Sequence, residues 1–260
     1  MLIGYNQATS MKPSDLETDI SMCKKYGFEG LEMQTDLMDV YMQNHSLEDL
    51  KNLFADSGVK ALPINAFCDF NILNDENTQR FHYLCRCANA SGANAVILVP
   101  ALKDISSDET VEAIKVHLKT AKEYGVELAL EFLGFSTSSV RSLEEALQIA
   151  GQIEGGLKVV LDTAHIMAGT TDPSTILKMK PEQIMAVHVN DLNKKESGVY
   201  SDSDRVWPGD GNLGLQQILA NLITIGYDGL YSVELFNEEI WEQPVDEIFK
   251  AAIGKIKSVL

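Results

Sequence analysis

The sequence predicts an α/β protein, a (β/α)8 TIM barrel, on three observations. A joint of helix end, glycine, apolar residue and strand recurs at Tyr26-Gly27-Phe28, Ser57-Gly58-Val59, Ser91-Gly92-Ala93, Tyr124-Gly125-Val126 and Ile225-Gly226-Tyr227. The first four joints lie roughly 33 residues apart, and the gap from Gly125 to Gly226 holds about three more such periods. Short apolar runs of strand length follow the joints, and helix-like stretches with capping residues lie between them.

In chain order, Leu2–Tyr5 reads as the first strand, and Pro13-Ser14-Asp15 opens a helix over Leu16–Tyr26 that Gly27 closes. The second strand is Gly30–Gln34, followed by a helix over Leu47–Ser57 behind Ser46 and the third strand, Lys60–Asn65. A helix over Thr78–Ser91 leads to the fourth strand, Ala95–Val99, and one over Glu109–Tyr124 leads to the fifth, Glu127–Leu133. Ser142 caps a helix over Leu143–Ile153 before the sixth strand, Lys158–Asp162; Met185–Val189 and Leu230–Leu235 complete the eight. Two joints between Gly125 and Gly226 lack the glycine but keep their strands. A doubly wound open sheet is the alternative, but it has fewer strands and a Gly-rich first turn, which Gly4-Tyr5-Asn6-Gln7 is not. No linker breaks the pattern, so residues 1–260 are expected to form a single TIM-barrel domain. The one long connection, Leu192–Leu213, is polar and contains glycine, as functional loops of that length do.

Composition narrows the function. With 45% apolar and 23% charged residues, 18 Gly and 7 Pro, the chain is neither collagen-like nor disordered. Lys and Arg total 21 against 38 Asp and Glu, a net charge of -17. Such a field repels nucleic acid and anionic membrane surfaces and favours metal ions and neutral small molecules. The N-terminus has no basic and apolar leader and no apolar run spans a bilayer, so a cytoplasmic protein is expected. Cys23, Cys68, Cys85 and Cys87 form no Cys-x-x-Cys pair and read as reduced, structural thiols.

In a barrel, strand residues of one parity face the helices and the other parity faces the axis, with chemistry gathered at the C-terminal ends. In Leu128-Ala129-Leu130-Glu131-Phe132 the apolar set faces out and leaves Glu131 inward. The same parity turns Asp162, His188 and Glu234 inward on the next three strands. Three facing carboxylates would repel one another in a buried site, and a divalent cation resolves that conflict. Two Glu, one Asp and one His suit Mn2+, Zn2+, Co2+ or Mg2+. His165, three residues after Asp162, is placed just above the strand end. Arg205 and Trp207 lie in the long loop, in Asp204-Arg205-Val206-Trp207-Pro208-Gly209, and Glu32 and Asn65 end the second and third strands on the inward side. All five are candidates for contact with a substrate. His45, His82 and His117 fall away from this end, and the methionines are core fillers.

With Leu130-Glu131-Phe132, Leu161-Asp162-Thr163-Ala164-His165, His188-Val189-Asn190-Asp191, Asp204–Gly211 and Ser232-Val233-Glu234 in view, the whole chain resembles the xylose-isomerase-like TIM barrels, the sugar phosphate isomerase/epimerase family. Within it, Gly4–Thr9, His45–Leu50 and Asp204–Gly209 look like segments of the inosose (2-keto-myo-inositol) isomerases of bacterial inositol catabolism. The resemblance implies that Glu131, Asp162, His188 and Glu234 hold one divalent metal, and that Glu131 and Glu234 are catalytic, moving the proton of a substrate carbon. It implies that His165 and Arg205 hold substrate oxygens. The implied reaction shifts the carbonyl of an inosose, or a similar cyclic or linear keto-polyol, to the adjacent carbon through an enediolate; dehydration or epimerisation is the alternative within the family. Two departures stand out. Met167 takes a place where the inosose isomerase pattern brings a second histidine, and Leu133–Ser138 lacks the acid that ketose 3-epimerases place there.

Other classes fit less well. The three-zinc endonuclease on this barrel needs more histidines, one of them where Val206 stands, and a less acidic chain. A sugar-binding module without catalysis would not need both Glu131 and Glu234. A homo-oligomer is compatible with all of these readings.

Overall fold

Capping residues set where the helices begin. In the computed structural model, which describes residues 1–260, Asp15, Ser46, Asn74, Ser106 and Ser142 each accept a first-turn backbone N–H with the side chain, worth about 1 kcal/mol apiece. The helices so started are Leu16–Tyr26, Leu47–Ser57, Asp75–Ser91, Ser107–Tyr124 and Leu143–Ala150, with Leu215–Thr224 and Val245–Val259 later in the chain. Gly27, Gly58, Gly92 and Gly125 close the first four in the left-handed region, where a side chain is strained. The joint before Lys158 keeps this chemistry as well, contrary to expectation: Gly155 and Gly156, at φ 88° and 82°, turn the chain after a helix that stops at Ala150 rather than Ile153.

Nine hydrogen-bonded segments make one parallel sheet. They amount to eight barrel strands: Leu2–Asn6, Gly30–Glu32, a divided third strand (Lys60–Ala61 and Ile64–Cys68), Ala95–Val99, Glu127–Glu131, Lys158–Asp162, Ile184–Val189 and Leu230–Val233. The third strand divides at Pro63, which offers no N–H to the ladder. Lys60–Ala61 pairs with the second strand and Ile64–Cys68 with the fourth, and a bridge from Gln34 to Asn65 joins the two sides, so the sheet closes on itself. The second, fifth and eighth strands end at Glu32, Glu131 and Val233, two residues earlier than expected. Beyond those points the chain leaves the ladder to form the mouth of the barrel. Short helical elements there were not anticipated, among them Gln7–Ser10, Thr35–Met42 and Thr163–Ala168. The long loop carries a small antiparallel pair, Asp191–Leu192 with Arg205–Val206.

Two apolar layers hold the barrel. A large one between strands and helices includes Tyr5, Phe28, Phe67, Leu130, Leu161 and Phe249. A small one inside it consists of Leu62, Ala66, Ala95, Ile97, Ala129, Val160, Met185, Ala186 and Leu230. The axis is tight at Gly30, where an added Cβ would lie 2.7 Å from Leu62 Cγ and 2.9 Å from the Lys60 carbonyl oxygen. The four cysteines are free thiols, three buried and Cys68 exposed. No helix is long and apolar enough to cross a membrane.

One buried carboxylate stands on the first helix, behind the element Gln7–Ser10. Asp19 accepts from Gln7 Nε2 (2.8 Å), Ser10 Oγ (3.0 Å) and Ser14 Oγ, but no cationic side chain contacts it. Burial pushes its pKa up to about 7, against the pull of these donors. The folded state therefore holds the proton more tightly than the unfolded chain, whose value is near 3.8. The resulting stability is full below that value and is lost as pH rises towards 7, at about 1.4 kcal/mol per pH unit for one fully uncoupled group. Thermal melts from pH 4.5 to 8 should show a downward slope that Asp19→Asn flattens; equal slopes in both proteins would contradict this.

Candidate active site at the barrel mouth

Strand parity and register assemble the site. Asp162 pairs in register with His188, and His188 with Ser232, two residues before Glu234; Glu131 pairs with Val160 across the neighbouring ladder. Glu131, Asp162, His188 and Glu234 each present one ligand-type atom, all within 4.8 Å of one another, and all four side chains are buried. His188 Nδ1 lies 3.0 Å from Glu131 Oε1 and 3.4 Å from Glu234 Oε2.

Each member is fixed by neighbours. Asp162 also caps the helix Thr163–Ala168: its Oδ1 accepts from His165 N at 2.9 Å, while Oδ2 accepts from Asn190 Nδ2 (2.9 Å) and Arg205 Nη2 (3.1 Å). This cap is why His165 sits one helical turn above the strand end. Glu234 Oε1 accepts from both Asn6 Nδ2 and Asn65 Nδ2 at 2.9 Å, so its other oxygen faces His188. Arg205 is only 2% exposed. It donates to Asp202, Asp162 and, at 3.2 Å, to His165 Nε2; it also lies over the Phe236 ring, and its Nε has no partner in the protein.

Electrostatics follow from burial among like charges. Burial disfavours the Asp162 anion, yet Arg205, His165 and His188 hold its pKa below the ordinary carboxylate range. Burial pushes Glu234 up to about 8, His188 opposing and Glu131 and Asp162 reinforcing the shift. Burial also works against a charged His188, but Glu234, Glu32 and Glu131 together keep its pKa well above the usual histidine value. His165 goes the other way: burial lowers it, with Asp162 resisting and Arg205 assisting. Four carboxylates thus converge, counting Glu32, around one imidazole and one guanidinium. Oxygen-rich sites of this kind, with one imidazole nitrogen, fit a divalent cation.

A cleft of about 530 Å3 lies beside the site, bounded by Leu102, Phe135, Thr137, Arg141, Tyr200 and Asp202 among others. A separate small void, sharing Phe135, Tyr200 and Asp202 with the cleft, is walled also by His165 and Arg205. The Phe135 ring stands edge-on to His165 at 5.0 Å. Of the expected substrate contacts, His165 and Arg205 wall that void. Asn65 and Glu32 sit lower, on Glu234 and His188 respectively, and half-buried Trp207 packs against the strand–helix core. His117 is a satisfied core histidine whose Nε2 lies 2.9 Å from the Phe70 carbonyl oxygen. Asn6, Gln34, Asn190 and Asp202 belong to the site and were not anticipated. Asn6 ends the first strand and Asn190 shares the parity of His188, a signal that the sequence carried.

The family model for the xylose isomerase-like TIM barrel matches residues 20–259. This chain belongs to that family. Among other members, the inosose isomerase of Halalkalibacterium halodurans is 32% identical, over 97% of this chain and 94% of its own length. That of Bacillus velezensis is 30% identical, over 100% of this chain and 97% of its own. A solved crystal structure, that of the IolI protein with a bound zinc atom, superposes with a TM-score of 0.94 at 28% identity, covering 100% of this chain and 98% of its own.

Proposed function

We propose that this family member is a divalent-metal-dependent inosose isomerase that shifts a ring carbonyl to the neighbouring carbon. The observation that carries the reading is the convergence of Glu131, Asp162, His188 and Glu234 within 4.8 Å, with Arg205 bonded to both Asp162 and His165 beside them. Inosose isomerases similar over nearly the full chain, and the zinc atom in IolI, support it. On this reading Glu131, Asp162, His188 and Glu234 hold the cation. Bound there, a divalent cation would supply Lewis-acid polarisation of the substrate carbonyl and its neighbouring hydroxyl.

The remaining work falls to side chains. Glu131 and Glu234 approach the same side of His188, so two carboxylates meet a substrate carbon from within one site. One takes the carbon-bound proton and the other returns a proton to the adjacent carbon, while the hydroxyl proton passes to the former carbonyl oxygen, so that carbonyl and hydroxyl exchange places and the two carboxylates exchange protonation states. Arg205 Nε, buried and without a protein partner, is a donor reserved for a substrate oxygen, and Nη2 holds His165 with Nε2 as acceptor, leaving Nδ1–H free to donate. Neither a nicotinamide nor a flavin is required, because the carbonyl moves with no net change in oxidation state.

The test is turnover of a panel of inososes and ketoses in D2O with Mn2+ or Zn2+, followed by NMR of the product. The expected result is an isomeric inosose carrying deuterium at the receiving carbon. A dehydrated or dione product would replace this reading with a dehydratase, and no turnover of any inosose would overturn it.

A further inference from the structure

Glu32 is a fully buried carboxylate with no Lys or Arg partner, set on the far side of the His188 ring from Glu131 and Glu234. Its Oε2 lies 2.9 Å from His188 Nε2 and also accepts from Asn6 Nδ2 at 3.1 Å. Asn6 is itself oriented: its Oδ1 accepts from Ala8 N and from Gln34 Nε2, both at 2.9 Å, so its amide nitrogen must point at Glu32 and Glu234. A carboxylate at Glu32 can only accept, so Nε2 carries hydrogen in its contact; Nδ1 meets Glu131 in the same way, but it is Nδ1 that faces the cluster of Glu131, Asp162 and Glu234 and must give up its proton to a cation held there. In the neutral ring the lone pair is then on Nδ1, the nitrogen aimed between Glu131 and Glu234. His188 and Asn6 are the partners of Oε2, and Oε1 has none in the protein, so what holds this buried carboxylate in place is its contact with the ring and the Asn6 amide.

We infer that Glu32 is a positioning residue for metal retention: it selects the Nε2–H tautomer of His188 and fixes the ring so that Nδ1 is the metal-binding atom. This rests on the proposed function, since it presumes that His188 is a ligand. Partners of this kind behind a ligating histidine are worth about 10- to 100-fold in metal affinity. Asn6, at the end of the first strand, and Gln34, just beyond the second, extend the same support, so that early strands without a ligand of their own still govern the metal site.

The experiment compares wild type, Glu32→Gln and Glu32→Ala for Zn2+ and Mn2+ binding by competition with a chromophoric chelator, with thermal melts of the metal-free proteins alongside. Long-range 1H–15N spectra of zinc-loaded wild type report the tautomer directly, whatever the fate of the variants. The expected result is a dissociation constant raised by at least about tenfold in Glu32→Ala but by only about threefold in Glu32→Gln, whose carbonyl still accepts from Nε2–H. The spectra should show His188 protonated at Nε2 alone. Affinity in Glu32→Ala within about threefold of wild type, equal losses in both variants, or a proton on Nδ1 in the loaded protein would each overturn the inference. Failure of wild type itself to bind either metal would instead overturn the proposed function.

Discussion

Glu131→Gln and Glu234→Gln are each expected to lower kcat for an inosose by at least about 100-fold in metal-replete protein. Glutamine keeps the volume but cannot take a proton from carbon. The two variants should differ in how they bind metal. Glu131 makes a single close contact within the site, with His188 Nδ1 at 3.0 Å, and an amide there can offer its oxygen. Glu234 holds the Asn6 and Asn65 amides on Oε1, so a glutamine must point its own oxygen at them and its NH2 at His188 and Arg205. An NH2 cannot ligate a cation and would also face the Arg205 guanidinium, so Glu234→Gln should lose more metal affinity than Glu131→Gln. Steady-state kinetics with metal content measured on the same samples decides it; activity within tenfold of wild type in either metal-loaded variant would remove that residue from the proton transfer.

Arg205→Ala is expected to lower kcat/KM by roughly 10- to 1000-fold without loss of metal. Removing a buried guanidinium costs twice: its donors to substrate disappear, and Asp162 and Asp202 lose their cation. Breaking a buried pair of this kind costs about 3 to 5 kcal/mol, so the melting temperature should fall as well. Asp162 still keeps Asn190 Nδ2 and the His165 backbone N–H, which is why the metal is expected to stay. Unchanged kinetics would make Arg205 a residue of the fold alone.

How far the sequence could be read depended on the kind of information each feature needs. Barrel period and strand parity are local, so the eight strands and the inward set Glu131, Asp162, His188 and Glu234 were legible from alternation within each strand. The break at Pro63 was visible in principle, from the missing N–H. Which inward residue faces substrate and which faces a neighbouring side chain is not local. Glu32 and Asn65 were read as pocket residues, and only the closed barrel shows them bonded to His188 and Glu234. Arg205 sits among acids in the sequence, as a surface ion pair would. Its burial depends on the Asp191–Leu192 and Arg205–Val206 pairing and on Asp191, whose Oδ2 accepts from Gly209 N and Gly211 N and so folds the loop inward. The short helix after Asp162 was missed because six residues carry too little periodicity, although Asp162 is itself a good N-cap.

The most direct test is an anomalous difference map from crystals of the wild-type protein soaked in Mn2+. The expected result is one strong peak at the barrel mouth, about 2.0 to 2.3 Å from a carboxylate oxygen of each of Glu131, Asp162 and Glu234 and from His188 Nδ1. A peak bound elsewhere, or no peak in crystals soaked at saturating Mn2+, would contradict the assignment of this cluster as the metal centre.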